Sequence, residues 1–300
     1  MSITMSKYLA FFSQMSLDKV EAYIELMRFD RPIGFLLLLW PTLLALWVAA
    51  EGFPTLDLLL IFSFGVVVMR SAGCVVNDHA DREFDGKVAR TKSRPLVSGK
   101  VTVEEARMLF LCLCFVALLL VLMVNRTTLY WSFGGLALTI LYPLAKRYTW
   151  FPQVVLGFTF GWSVPMAFTA SNLAVDELVW LIYFTNVIWI VMYDTLYGMV
   201  DREDDIKIGI RSTAILFGDA DRMMIGVMQA MTLGGMIILG ATQEFTVWYY
   251  LFLVGVAGLF VYQQFLIRKR EPQACFKAFL NNNYVGALWF LAVVVEYLVR

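Results

Sequence analysis

Histidine occurs once in this chain, at His79. A zinc site built on several imidazoles, or a Ser-His-Asp triad with a choice of bases, therefore finds no support. Cysteine is also scarce, with four residues. Cys74, Cys112 and Cys114 lie in apolar runs and Cys275 is expected in a loop. No metal or redox spacing links them, so they read as small buried hydrophobes. Charge is the third shortage: only 16% of residues are charged, against about 25% in an average soluble domain. The net charge is zero, which gives no reason to expect a nucleic-acid partner.

Hydrophobic residues make up 60% of the chain. They gather in runs of roughly 18–22 residues, the length a helix needs to cross a bilayer core. The runs are continuous rather than alternating, which excludes a β-barrel. The expected fold class is all-α: a polytopic membrane protein, a bundle of nine transmembrane helices with a cytoplasmic cap, forming one domain over residues 1–300. Spans are expected at 33–50, 57–76, 107–124, 128–146, 151–170, 177–199, 221–240, 246–266 and 279–298. The stretches 77–106 and 200–220 are expected as cytoplasmic active-site loops. Residues 1–30 show no cleavable signal pattern, and 15–30 read as an amphipathic helix on the membrane surface with Ser16 as N-cap. Pro41, Pro143 and Pro165 fall within spans and predict kinks or breaks.

The distribution of cations fixes a sidedness. With nine spans and the N-terminus inside, only Arg126 and Arg300 fall on the outer side, while the inner segments carry most of the Lys and Arg. The expected location is a bacterial cytoplasmic (inner) membrane, N-terminus cytoplasmic and C-terminus outside.

Against this apolar background one five-residue phrase occurs twice. Asp81-Arg82-Glu83-Phe84-Asp85 and Asp201-Arg202-Glu203-Asp204-Asp205 differ at one position, and each directly follows a long apolar run. If the preceding helix continues, Asp78, Asp81 and Asp85 fall at i, i+3 and i+7 on one face, and Asn77 joins Asp81 and Asp85 at steps of four. In the second copy Asp194, Asp201 and Asp205 share a face, with Asp204 beside them. Carboxylates at a lipid boundary need a compensating charge. Mg²⁺ prefers one or two carboxylates plus substrate phosphate oxygens, so two such sites point to a metal-bridged diphosphate. Asn77, Asp78, Asp81, Asp85, Asp201, Asp204 and Asp205 are the candidate ligands. The bland alternative is a pair of solvated cytoplasmic loops that hold topology.

Cations sit where phosphate would lie. Arg90 and Arg94 follow the first phrase, and Lys207 with Arg211 follow the second. Tyr142 and Lys146 are one turn apart at the end of a span, next to Arg147. Arg forks and Lys point charges suit phosphate oxygens and a departing pyrophosphate. Each could equally be a positive-inside anchor. Arg70 lies inside the second span, seven residues before Asn77 and on the same face. A cation there needs a polar cavity or a partner. It either pairs with a second, anionic substrate or forms a structural ion pair with a carboxylate such as Asp194, itself a candidate substrate contact.

The stretch Gly73-Cys74-Val75-Val76-Asn77-Asp78-x-x-Asp81-x-x-x-Asp85, followed by Arg90-Thr91-x-x-Arg94-Pro95-Leu96, resembles the first signature of the UbiA superfamily of intramembrane aromatic prenyltransferases. Tyr193-Asp194-Thr195-x-Tyr197-x-x-x-Asp201-Arg202-x-Asp204-Asp205-x-x-x-Gly209, followed by Ser212-Thr213-Ala214, resembles the second. The Arg-Thr-x-x-Arg-Pro-Leu tail and the Tyr142-to-Arg147 stretch look most like the branch that prenylates 4-hydroxybenzoate for ubiquinone.

The resemblance implies a nine-helix bundle with a lateral opening for a lipid tail. Asn77, Asp81, Asp85, Asp201 and Asp205 would be metal and diphosphate positions. Arg94, Tyr142 and Lys146 would help bind the diphosphate, and Arg70 would belong to the aromatic-acid pocket. Asp81, Asp85, Asp201, Asp205 and Arg70 are the catalytic candidates. The implied reaction is Mg²⁺-assisted ionisation of a polyprenyl diphosphate and attack by the ring carbon ortho to the phenol of 4-hydroxybenzoate. No obligate protein partner is implied. Other acceptors of the same superfamily, homogentisate or a dihydroxynaphthoate, are the nearest alternative. A divalent-cation transporter would need carboxylates near the midplane and a polar path, whereas these acids cluster at one face.

Overall fold

The computed structural model describes residues 17–86 and 91–300, and among them every regular element is helical. In chain order the helices are α1 (Leu17–Leu26), α2 (Ile33–Ala49), α3 (Leu56–Asp85), α4 (Val103–Leu122), α5 (Arg126–Tyr148) and α6 (Pro152–Gly161). They continue with α7 (Ser163–Ala170), α8 (Glu177–Ile208), α9 (Thr213–Phe217), α10 (Asp221–Thr242), α11 (Val247–Leu266) and α12 (Pro272–Val299). Seven helical segments are long and apolar enough to cross a membrane. Of the other expected spans, α2 is a shorter apolar helix, and the stretch 151–170 is divided into α6 and α7.

That division has a local cause. Pro165 offers no N–H, and its ring crowds the carbonyl four residues earlier, at Gly161. α6 ends there, and Trp162 N turns to Thr159 O at 3.4 Å. At the other two prolines the helix is not broken: α2 runs through Pro41 and α5 through Pro143. Thr42 Oγ1 donates to Leu38 O at 2.7 Å, keeping the turn at Pro41 bonded.

Side chains punctuate the helices. Thr102 and Glu105 form a capping box at the start of α4: Thr102 Oγ1 accepts from Glu105 N at 3.2 Å, and Glu105 Oε2 accepts from Thr102 N at 2.8 Å. Lys19 of α1 donates to the same Glu105 at 2.6 Å, which ties the amphipathic helix to α4. Ala22 and Leu26 of α1 bury against Val75, Val101 and Ala106 in a small satellite core. Ser16, the expected cap of α1, lies outside the described residues.

The core forms around α8, which packs on α6, α10 and α12. Trp189 and Tyr193 of α8 are wholly buried. By contrast, α4 presents Leu111, Phe115 and Leu119, spaced i, i+4 and i+8, on the outer surface, as a lipid-facing helix should. Cys275 differs from expectation: it is buried in α12 rather than in a loop, because the helix begins at Pro272, where a missing N–H costs nothing. All four cysteines are free, but only Cys74 and Cys275 are buried as expected; Cys112 is exposed and Cys114 half-buried, because α4 turns much of its surface outward.

Candidate active site

Both acidic phrases are helical, so the stretches 77–106 and 200–220, expected as loops, are helical over much of their length. Residues 77–85 are the last turns of α3, and 200–208 are the last turns of α8. α8 stops at Gly209, whose φ of 74° is left-handed and costs glycine little. The chain then enters α9 under a cap in which Ser212 Oγ accepts from Ile215 N at 3.3 Å.

The face predicted for α3 forms, and each of its acids meets a cation. Asp78, Asp81 and Asp85 are all buried. Arg28, from the connection after α1, donates to both Asp78 oxygens at 3.1 and 2.9 Å. Arg94 Nη1 lies 3.0 Å from Asp78 Oδ1 and donates to Asp85 Oδ2 at 2.5 Å. Lys146 Nζ donates to Asp81 Oδ2, and Arg147 Nη2 to Ala80 O. Thr91 Oγ1 donates to Asp85 O at 2.7 Å, folding the following segment back onto the helix. Arg90 lies outside the described residues.

α5 joins the two acidic segments. While the Lys146 ammonium holds Asp81, the Lys146 carbonyl accepts from Arg211 N at 3.4 Å. Arg211 itself faces α5 rather than a ligand space: Nη1 donates to Tyr148 O at 3.1 Å, and the guanidinium sits 5.4 Å from the Trp150 ring centre. Exposed Lys207 pairs with Asp204 at 3.1 Å within its own helix. Asp201, Asp204 and Asp205 are half-buried. Behind them Arg202 turns away, donating to Asp221 Oδ2 at 2.6 Å and to Ala214 O at 2.5 Å.

One large cavity, of about 820 Å³, opens beside the acidic end of α3; Asp81, Asp85, Lys146 and the second acidic phrase do not line it. Asn77, Asp78 and Arg94 line one end. Ile61 and Asp78 both line it, seventeen residues apart on α3, so it extends about 26 Å along that helix. Its walls are mainly apolar, with Arg70, Tyr142, Tyr193 and Asp194 as polar side chains partway along. Arg70 makes no hydrogen bond or salt bridge among the described residues, and its Nε is buried without a partner. The structural pair with Asp194 is therefore not formed, although both residues line the cavity.

Among the described residues, no three acidic, cysteine or histidine side chains converge as a ready-made metal site. Mg²⁺ does not require one, since it keeps several waters and needs few carboxylates. The donors at the end of α3 are all oxygens, which suits a hard ion. Asp81 Oδ1 is buried with no hydrogen-bond partner among the described residues, so that carboxylate oxygen is open to a ligand. The residues fit the ion.

Sequence reasoning did not find Arg28. It is fifty residues from Asp78, and no helical period connects them. The Asp221 contact to Arg202 escaped for the same reason.

Residues 38–291 match the model of the UbiA prenyltransferase family. A 4-hydroxybenzoate octaprenyltransferase of Ectopseudomonas mendocina (strain ymp) is 53% identical over 278 residues, covering 93% of this chain and 94% of that protein. One of Hahella chejuensis (strain KCTC 2396) is 55% identical over 282 residues, covering 94% of each. Among solved structures, the apo form of a UbiA homolog from Aeropyrum pernix K1 superposes with a TM-score of 0.78 at 23% identity, covering 88% of this chain and 98% of that one. A UbiA homolog from Archaeoglobus fulgidus bound to GPP and Mg²⁺ gives 0.68 at 16% identity, covering 91% and 99%. At these identities the solved structures establish the fold.

Proposed function

Because the chain belongs to the UbiA prenyltransferase family, we propose that it transfers a polyprenyl group from polyprenyl diphosphate to the ring carbon ortho to the hydroxyl of 4-hydroxybenzoate. The step releases diphosphate and serves ubiquinone biosynthesis. The single observation that carries this reading is the cavity: an acid-and-cation cluster at one end, an unpaired arginine partway along and an apolar path beyond.

Each part has a task. The apolar length takes the prenyl tail. Arg94, Lys146 and Tyr142 bind the diphosphate, and Arg70 holds the acceptor carboxylate, with which its planar fork makes a bidentate pair. Arg147, Lys207 and Arg211 add positive potential on the same side, and Arg90, outside the described residues, is assigned to the same task by its sequence position. Asn77, Asp78, Asp81, Asp85, Asp201, Asp204 and Asp205 are the set from which Mg²⁺ ligands are drawn. When bound, the ion neutralises charge on the leaving pyrophosphate. Cleavage of the allylic C–O bond leaves a cation that apolar and aromatic walls shield from water and stabilise through ring faces. The ring carbon attacks it, a C–C bond forms, and loss of the ring proton restores aromaticity. Asp194, on the cavity wall beside Tyr193, contacts the acceptor region.

The mature topology follows from the same reading. Counting α2 and the broken pair α6–α7 as crossings gives nine, with the ends of α3 and α8 in a cytoplasmic cap. The N-terminus is then cytoplasmic and the C-terminus outside, in a bacterial inner membrane. The bias of Lys and Arg toward one side supports this orientation.

The test is prenylation of radiolabelled 4-hydroxybenzoate by purified protein in detergent, with geranyl or longer diphosphates, in Mg²⁺ and in EDTA. A lipid-soluble product that needs metal is the expected result. No product from 4-hydroxybenzoate, with product from homogentisate or a dihydroxynaphthoate, overturns the acceptor.

A further inference from the structure

Arg70 carries no hydrogen bond or ion pair among the described residues, yet it has a defined place. Its guanidinium carbon sits 5.4 Å from the ring centre of Phe160 on α6. It also lies directly against α2 at Gly34: a Cβ built at that glycine would stand 2.6 Å from Arg70 Nε and 2.7 Å from Nη2. Contacts that short are excluded, so the guanidinium occupies this position only because residue 34 has no side chain. Gly34, Arg70 and Phe160 all line the same cavity. Gly34 is the second residue of α2, in its first turn, where nothing in the helix itself calls for glycine. Its φ is not in the left-handed region, so backbone conformation does not require glycine there. The close approach does.

We propose that Gly34 and Phe160 are positioning residues that hold the Arg70 guanidinium at the cavity wall and thereby set selectivity for a carboxylated aromatic acceptor. Both act through Arg70. The guanidinium lies over the Phe160 ring within cation–π range. The bare backbone of α2 gives it space that any other residue would fill. A long side chain loses rotamer freedom when it grips a ligand, and these contacts remove that freedom beforehand. The inference rests on the reading of Arg70 as the site of the acceptor carboxylate.

Steady-state kinetics of purified variants test both, with 4-hydroxybenzoate and its uncharged methyl ester as acceptors and geranyl diphosphate as donor. Arg70→Ala tests the underlying reading: it should abolish the preference for acid over ester. If that preference survives in Arg70→Ala, the role of Arg70 fails first.

Given an effect of Arg70→Ala, Gly34→Ala should raise KM for the acid about tenfold and reduce the acid-over-ester ratio to match, with the donor KM unchanged. The displaced atoms are the tip of a flexible side chain and alanine favours the helix, so the melting temperature in detergent should hold or rise. Gly258→Ala, where an added Cβ meets nothing within 4 Å, is the control. Phe160→Leu keeps apolar bulk without the ring and should weaken the acid preference, and Phe160→Tyr should retain it. An acid-over-ester ratio unchanged in both Gly34→Ala and Phe160→Leu, while Arg70→Ala loses it, overturns the proposal.

Discussion

Arg94 Nη1 donates to Asp85 Oδ2 at 2.5 Å, so the segment after α3 closes back on the acidic helix end that precedes it. The same nitrogen lies 3.0 Å from Asp78 Oδ1, two helical turns away. One guanidinium thus spans the acidic face along its length. Removing it leaves two buried carboxylates short of a partner. Arg94→Ala should cost on the order of 3 kcal/mol of stability and raise KM for the diphosphate. Thermal unfolding in detergent and donor kinetics measure these. Arg94→Lys should recover part of the stability and little of the donor affinity. An unchanged melt and donor KM in Arg94→Ala would refute the assignment.

Lys146 and the proposed ion share Asp81. The ammonium donates to Asp81 Oδ2, so it offsets the charge of a carboxylate that would otherwise attract the cation more strongly. Lys146→Met should therefore move two quantities in opposite directions. The Mg²⁺ concentration for half-maximal activity should fall, while kcat drops by roughly 10²–10³ through loss of a donor to the leaving diphosphate. A fall in kcat with a weaker Mg²⁺ requirement distinguishes this from simple misfolding, and a higher Mg²⁺ requirement would contradict the shared-carboxylate account.

Asp221 is fully buried and receives two arginines, Arg202 from α8 and Arg270 from the turn before α12. It ties together the connections around the second acidic phrase. Neutralising it strands both cations, so Asp221→Asn should be the most destabilising change in this group. Arg202→Gln should follow and Arg270→Gln should be mildest, since 35% of the Arg270 side chain is exposed and solvent screens it. The order of melting temperatures is the check, and a reversed order would show that the cluster does not act through Asp221.

Away from the cavity, α10, α11 and α12 are joined by amides. Gln229 Nε2 donates to Gln263 Oε1 at 3.0 Å, and Gln263 Nε2 donates to Asn281 Oδ1 at 2.9 Å. Such bonds between helices in lipid contribute about 0.6–1.7 kcal/mol each. Gln263→Leu should lower stability by about 1 kcal/mol, with kcat and both KM values at the level of the unaltered protein. A kinetic change without a stability change would place the network in the catalytic machinery instead.

The acidic face of α3 was legible because it is local: Asp78, Asp81 and Asp85 follow helical spacing, and the helix continues through them. Tyr142 and Lys146 were likewise readable as neighbours one turn apart. Their fates differ, since Tyr142 lines the cavity while Lys146 reaches Asp81, sixty-five residues away in sequence. Arg70 was identifiable as a cation in lipid that needs a reason, and two reasons were open. Only the packed helices show Arg70 making no salt bridge to Asp194, with Gly34 beneath the guanidinium. The break at Trp162 was foreseeable from Pro165, whereas Pro41 and Pro143 stay in unbroken helices.

Periodicity and composition govern the local features. Long apolar runs must satisfy their backbone internally and so become helices, and acids at a spacing of three, four and seven must share a face. The tertiary structure decided which helices stand side by side, and with that every contact across long sequence separation. Arg28 on Asp78, Lys146 on Asp81, Arg202 and Arg270 on Asp221, and Arg70 against Gly34 belong to that second kind. A pattern within one helix cannot specify its neighbour, because that choice is made by the side-chain shapes of both surfaces at once.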